Sequence, residues 1–181
     1  SIEHGIEPPS AFVPRVSISV GNPMNAALAA GMLAIGDHHG GAIEQAAFLL
    51  QGEKDAADIV RELRASGRRL PGFGHKAYKD KDPRAELLFE KAESLGFSGV
   101  FIKKALECGE ELEKQTGKKL PLNVDGAISA LMLELGFDWR LGKAIFALGR
   151  LPGMIAHAHE EMTNEKPYRR LEEDEVEYVG L

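Results

Sequence analysis

Apolar residues along the chain recur mostly three and four positions apart, the spacing that gathers them on one face of a helix. Pro8-Pro9-Ser10 reads as a helix start followed by Ala11, Phe12, Val16 and Val20, and Gly21-Asn22-Pro23 ends that segment and opens the next. The second helix, through Ala34, is rich in Ala and Gly. Small side chains let helices approach closely, so it is predicted to be buried between neighbours or at a subunit contact. After a break at Gly36-Asp37-His38-His39-Gly40-Gly41, the pattern resumes from Ala42 to Leu50 with Ile43, Ala46, Ala47 and Leu50 on one face. A charged helix follows from about Asp55 to Ala65, and then a Gly/Pro-rich loop from Gly67 to His75 that suits neither periodic element.

Asp82 caps the next helix, with Pro83 in its first turn, where the missing N–H costs nothing. That helix runs to about Ser94 and Gly96 ends it. Another extends from Gly99 to about Thr116, presenting Val100, Ala105, Leu106 and Leu112, and Gly117-Lys118-Lys119-Leu120-Pro121 closes it. Helices over Asn123 to Leu135, Arg140 to Leu151 and Gly153 to Met162 complete the set. Val176-Glu177-Tyr178-Val179 alternates and suits a short strand, and Glu172-Glu173-Asp174-Glu175 reads as a solvated acidic tail. The predicted fold is all-α apart from that strand.

Composition narrows the functional classes. The 181 residues are 44% hydrophobic and carry 22 Lys+Arg against 28 Asp+Glu, a net charge of −6. That suits one soluble globular domain or two small lobes and excludes a disordered chain. The single cysteine, Cys108, supports no bridge, which favours a reducing, cytoplasmic setting. No apolar stretch reaches the roughly 20 residues that a membrane span needs, and Ser1-Ile2-Glu3-His4 has no signal-peptide character. The acidic balance argues against nucleic acid as a partner.

The histidines are placed unevenly. His38, His39 and His75 sit in glycine-flanked loops, where a ligand can come close to the backbone, while His157 and His159 fall in a helix. A single loop histidine is as readily a hydrogen-bonded structural residue. A metal site is not expected: residues two apart on a helix point about 200° apart, and no cysteine cluster exists. Cys108 lies in a charged helical segment without a nearby histidine, and neither a nucleophile elbow nor a P-loop is present. What remains is acid/base chemistry on an anionic substrate. Seven basic residues (Arg64, Arg68, Arg69, Lys76, Lys79, Lys81 and Arg84) cluster in an acidic chain, and Lys118-Lys119 precede Asn123-Val124-Asp125. Arginines suit carboxylates and lysines suit phosphates. A basic face alone would be merely solvated; its joining to loop histidines and to an Asp at a helix start gives it chemical meaning.

Four motifs, in order, then carry a resemblance. Gly36-Asp37-His38-His39-Gly40-Gly41-Ala42, Gly72-Phe73-Gly74-His75-Lys76-Ala77-Tyr78-Lys79 with Asp82-Pro83-Arg84-Ala85, Asn123-Val124-Asp125, and Arg150 through His157 resemble the signatures of the citrate synthase superfamily. The resemblance implies a two-lobed helical fold, N-terminally incomplete, with residues 1–40 and 136–181 in a large domain and 41–135 in a small one. It implies hinges near Gly40-Gly41 and Gly136 and a site in the cleft between the lobes. Asp125 would exchange a proton with the methyl carbon of an acetyl thioester. His39 would hydrogen-bond the thioester oxygen, and His75 the carbonyl or alkoxide oxygen of the oxaloacetate part. Arg84 and Arg150 would clamp carboxylates, with His4 as a further contact. Leu70, Gly72, Phe73, Gly74, Lys118 and Lys119 would bind coenzyme A. Arg169, or less favourably Arg170, would reach a neighbouring subunit's site.

Within the superfamily, Asn123-Val124-Asp125-Gly126-Ala127-Ile128 and Ile35-Gly36-Asp37 resemble citryl-CoA lyases and the lyase module of ATP-dependent citrate cleavage enzymes, whereas His39 is the synthase-type residue. The implied activity is retro-Claisen cleavage of citryl-CoA to acetyl-CoA and oxaloacetate in a cytoplasmic homodimer or higher homo-oligomer, with the coenzyme A thioester as substrate and no metal. The alternatives are citrate or 2-methylcitrate synthesis from an acyl-CoA and oxaloacetate, and a non-catalytic CoA-binding or oligomerisation module.

Overall fold

The computed structural model describes residues 2–75, 78–97 and 99–169. The expected strand, the acidic run, Arg170 and Lys76 lie outside the described residues. The order is α1 (Pro9–Ser19), α2 (Met24–Leu33), α3 (Ala42–Gln51), α4 (Ala56–Ala65), α5 (Pro83–Ser94), α6 (Val100–Thr116), α7 (Val124–Glu134), a 3₁₀ turn (Trp139–Leu141) and α8 (Gly142–Asn164). Among the described residues β pairing is confined to isolated bridges, Gly36 with His39 and Phe73 with Leu122. The chain divides into two compact units, residues 1–39 with 147–181, and residues 40–146.

In the first unit α1 and α2 pack together. Ile18, Ala27 and Ala158 form a buried cluster with Met24 against it. A methyl group at Gly31 would lie 2.9 Å from both Met154 Sδ and Pro14 Cγ, so a small residue is required there. On α2, Ala27 and Gly31 are buried within the unit, and Leu33 is 88% exposed. Buried Arg15 holds Glu161, itself buried, at 2.8 Å and Glu160 at 3.1 Å.

In the second unit α7 packs against α3, α5 and α6. Gly126, Ala127, Ser129 and Ala130 keep its flanks narrow, and Ser129 Oγ lies 2.8 Å from the Ile43 carbonyl of α3. α3 buries Ile43, Ala46, Ala47 and Leu50, the face that its spacing predicted. Asp55 caps α4, accepting the Asp58 N–H at 2.8 Å. For α6 the predicted face needs correction. Ile102, Ala105, Cys108 and Leu112 are buried, whereas Val100 and Leu106 are 72% and 48% exposed. Glu134 of α7 accepts the Ile102 N–H at 3.0 Å and so caps α6 from outside it.

The two C-terminal helices expected on either side of Leu151-Pro152-Gly153 are one continuous helix, α8, with Pro152 inside it. A proline deletes one helical hydrogen bond without dictating a break where tertiary contacts hold both sides. Glycine is required at position 153 for a separate reason: the backbone of Ile2 passes so close that any Cβ would strike its carbonyl oxygen.

Candidate active site

The candidate residues fall into two groups, one in each unit. In the first unit, His39 ends the turn closed by the paired backbone bonds Gly36 N–H to His39 O at 2.9 Å and His39 N–H to Gly36 O at 3.0 Å. Its Nε2 lies 2.7 Å from Ser10 Oγ, and the Ser10 N–H points at the same nitrogen from 3.4 Å. Ser10 is fully buried in the first turn of α1, where backbone N–H groups lack helical partners and the dipole is positive. Both features oppose a charged imidazolium. Burial, joined by the charges of Arg150 and His4, holds the His39 pKa below its ordinary value. With a donor aimed at Nε2, the ring proton belongs on Nδ1, making His39 a neutral hydrogen-bond donor.

His4 and Arg150 are therefore close enough to act on His39 electrostatically. Arg150 is buried in α8. His4 is exposed, in a short segment ordered by Glu3, whose carboxylate accepts the His4 N–H at 2.8 Å and also the Gly5 N–H. The other Glu3 oxygen lies 2.9 Å from His157 Nε2. Arg169 is held inside the first unit: its Nε and Nη2 reach Glu161 at 2.8 and 2.6 Å, and its backbone N–H donates to Ser19 Oγ at 3.2 Å.

In the second unit the loop from Pro71 to Gly74 is docked onto the start of α7. Gly74 N–H donates to Pro121 O at 2.8 Å, Asn123 N–H to Gly72 O at 2.9 Å, and Asn123 Nδ2 to Gly74 O at 2.9 Å. The other end of the Asn123 amide caps α7, accepting the Asp125 and Gly126 N–H groups at 3.0 and 3.2 Å. One side chain thus fixes both Gly74, beside His75, and the turn that carries Asp125. The approach requires glycine on both sides, because a methyl at Gly72 (φ +83°) would lie 2.6 Å from Gly126 Cα.

His75 Nδ1 accepts the Tyr78 N–H at 3.2 Å, which places the proton of a neutral ring on Nε2. The Tyr78 ring stacks on His75 at 4.7 Å, and the Arg84 guanidinium lies 5.5 Å from the centre of that ring. Arg84 also feels the charge of Asp125. The second unit therefore gathers His75, Arg84 and Asp125. Arg84 is not an unattached clamp, since Asp82 holds its Nε at 2.9 Å and its Nη2 at 2.7 Å.

Of the residues expected to bind coenzyme A, Phe73 and Lys119 line one cavity of about 330 Å³ between α5 and α6. Leu70 borders a tight apolar gap that also touches Cys108, and Gly72 is buried against α7. The Cys108 thiol is pushed up to about 11 by burial, so it is no nucleophile. Among the described residues no three His, Cys, Asp or Glu side chains gather to hold a metal, and no helix is long and apolar enough to cross a membrane. Sequence reasoning missed Ser10 and the second role of Asn123, because both depend on contacts between distant parts of the chain.

An all-α architecture with a loop histidine at a helix start and an Asn-Val-Asp turn docked on a second histidine loop defines a class. The profile of the family described as citrate synthase, C-terminal domain, matches residues 1–171, and the chain belongs to that family. Among solved structures it is similar to citryl-CoA lyase from Hydrogenobacter thermophilus, with 49% identity and a TM-score of 0.93 over 99% of this chain and 73% of that one. ATP citrate lyase from Methanothrix soehngenii, in complex with citrate and coenzyme A, superposes at a TM-score of 0.85 with 28% identity, over 99% of this chain and 32% of that one. Citrate synthase 1 of Mycobacterium tuberculosis is 37% identical over 138 residues, covering 69% of this chain and 32% of the relative. The chain spans between 29% and 48% of the length of the curated relatives it matches.

Proposed function

We propose that the protein cleaves citryl-CoA to acetyl-CoA and oxaloacetate. The observation that carries the reading lies in the second unit, where a histidine of fixed tautomer, His75, shares one cluster with Arg84 and the helix-start carboxylate Asp125; in the first unit His39 is separately held as a neutral donor. As the carbon–carbon bond breaks, its electron pair passes to the thioester α-carbon, which Asp125 protonates to give the methyl group. Negative charge builds on the thioester oxygen opposite the Nδ1–H of His39. Such a donor, aimed where charge develops, lowers the barrier by about 3 kcal/mol. Asp125 enters protonated and leaves as the carboxylate, and the hydroxyl proton is released to solvent as that oxygen becomes the oxaloacetate carbonyl. The new carbonyl accepts a hydrogen bond from Nε2–H of His75, while His4, Arg84 and Arg150 hold carboxylates. Phe73 with its loop, Lys118 and Lys119 hold coenzyme A.

One transition state serves both directions, so condensation to citrate is the second reading. His39 favours it, as does the similarity to citrate synthase 1. The 49% identity to a citryl-CoA lyase favours cleavage. We further propose that the two units are the large and small lobes of the family, that the protein is cytoplasmic, and that it works as a homodimer or larger homo-oligomer. The exposed apolar side of α2, with Leu33, supports a subunit contact. The test supplies citryl-CoA in one assay and acetyl-CoA with oxaloacetate in another. Faster turnover of citryl-CoA supports the lyase, faster citrate formation supports the synthase, and silence in both leaves the non-catalytic module.

A further inference from the structure

Asp82 was expected to do no more than cap α5. That task needs one oxygen, and Oδ1 performs it by accepting the Arg84 N–H at 3.0 Å. The side chain does considerably more. Oδ1 also accepts the Arg84 Nε–H at 2.9 Å, and Oδ2 is shared between Arg84 Nη2 at 2.7 Å and the Val124 N–H at 3.2 Å. Val124 is the first residue of α7 and the immediate neighbour of Asp125. Asp82 is 1% exposed, whereas the Arg84 side chain is 40% exposed. A buried carboxylate with both oxygens engaged thus holds a half-exposed guanidinium and anchors it to the backbone of the helix that carries the carboxylate Asp125.

We infer that Asp82 is a positioning residue, which locks the Arg84 guanidinium to the start of α7 so that Arg84 presents a fixed fork to a substrate carboxylate. The inference rests on the functional reading above, in which Arg84 contacts the oxaloacetate part. A guanidinium held at Nε and Nη2 along one edge offers its remaining N–H groups in one direction and loses little freedom on binding an anion. Tyr78 restrains the same group from its face, 5.5 Å away, and stacks in turn on His75.

The test is Asp82→Asn, which keeps an Oδ1 acceptor for the cap but turns the other end into a donor facing two donors. Isothermal titration of oxaloacetate and, separately, of coenzyme A reads the result. The expected outcome is an oxaloacetate Kd weakened about 10- to 100-fold, the equivalent of one charge-assisted hydrogen bond, with coenzyme A affinity weakened less than oxaloacetate affinity. On an Arg84→Lys background the same change should weaken oxaloacetate less than about twofold further, since the two residues act as one unit. A purely structural role would lower the fraction of protein that binds without changing either Kd. Asp82→Ser, which caps but cannot reach the guanidinium, repeats the test should the Asn variant not fold. Unchanged oxaloacetate affinity in a folded Asn or Ser variant overturns the inference, as does full additivity with Arg84→Lys. A wild-type protein that binds no oxaloacetate instead refutes the functional reading, and this inference with it.

Discussion

Gly72 and Gly74 flank the loop that carries His75, and replacing each by alanine separates two physical costs. Both have left-handed backbones, with φ of +83° and +82°. An L residue in that region costs about 1–2 kcal/mol, and this charge falls equally on both variants. The space around them differs. A methyl at Gly74 meets Leu120 Cδ2 at 3.9 Å, an ordinary contact, whereas at Gly72 it meets Gly126 Cα at 2.6 Å and Gly126 N at 3.0 Å. The obstacle is helix backbone, which cannot swing away like a side chain. Overpacking of this kind adds about 1–3 kcal/mol. Gly74→Ala should therefore destabilise by about 1–2 kcal/mol, and Gly72→Ala by about 2–5 kcal/mol. For a chain of this length each kcal/mol lowers Tm by about 2–4 °C, well within reach of urea and thermal melts followed by circular dichroism. Lifting the loop from α7 would also strain the Asn123 N–H to Gly72 O bond, so Gly72→Ala should lose more turnover than Gly74→Ala at equal folded fraction. Equal destabilisation by the two substitutions would refute the close-approach reasoning.

Other consequences follow from the same geometry. Ser10→Ala removes the hydroxyl 2.7 Å from His39 Nε2 and should cost about 1–2 kcal/mol in stability and lower turnover, and a Ser10→Ala protein of full stability and activity would contradict the His39 assignment. The lowered pKa of His39 means that the unfolded state gains its proton first as pH falls. Its contribution is thus fully present above the ordinary value of 6.5 and is lost below it, and turnover that depends on neutral His39 should persist below pH 6.5 before declining. Asp82 behaves as a paired carboxylate: burial would raise its pKa, but the Arg84 bonds and the Val124 N–H outweigh that and lower it. Its stabilisation is present above the ordinary value of 3.8 and disappears as pH falls through the lower folded value, which an acid titration of the Asp82→Asn variant beside wild type would reveal as a reduced slope. Cys108, 1% exposed with its thiol near 11, should resist alkylation at pH 8 until the protein unfolds; rapid labelling of native protein would contradict that burial.

Local signals in the sequence carried much of this fold. The stripe Ile43, Ala46, Ala47 and Leu50, the cap at Asp55 and the Asp82-Pro83 start all depend on residues within a turn or two of each other, and the structure has them as expected. The face of α6 was half legible: Ala105 and Leu112 are buried as expected, whereas Val100 and Leu106 are exposed and Ile102 and Cys108 complete the buried stripe instead. No break occurs at Pro152, because an interior proline removes one bond of the helical ladder, which the 23-residue α8 carries without interruption. The candidate site divides in the same way. His39, His75 and Asp125 stand out by residue type and glycine neighbours, yet the contacts that define their chemistry join Ser10 to His39, Asn123 to Gly74 and Asp82 to Val124. These span tens of residues, and sequence spacing holds no record of them.

Replacement of Asp125 by Asn tests the central claim most directly, because the side chain keeps nearly the same shape and loses the ability to exchange a proton. Turnover of citryl-CoA by the variant, with its binding followed in parallel, should fall at least 100-fold while affinity changes little, as expected for loss of a positioned acid/base. Wild-type turnover in a folded Asp125→Asn protein would contradict the account.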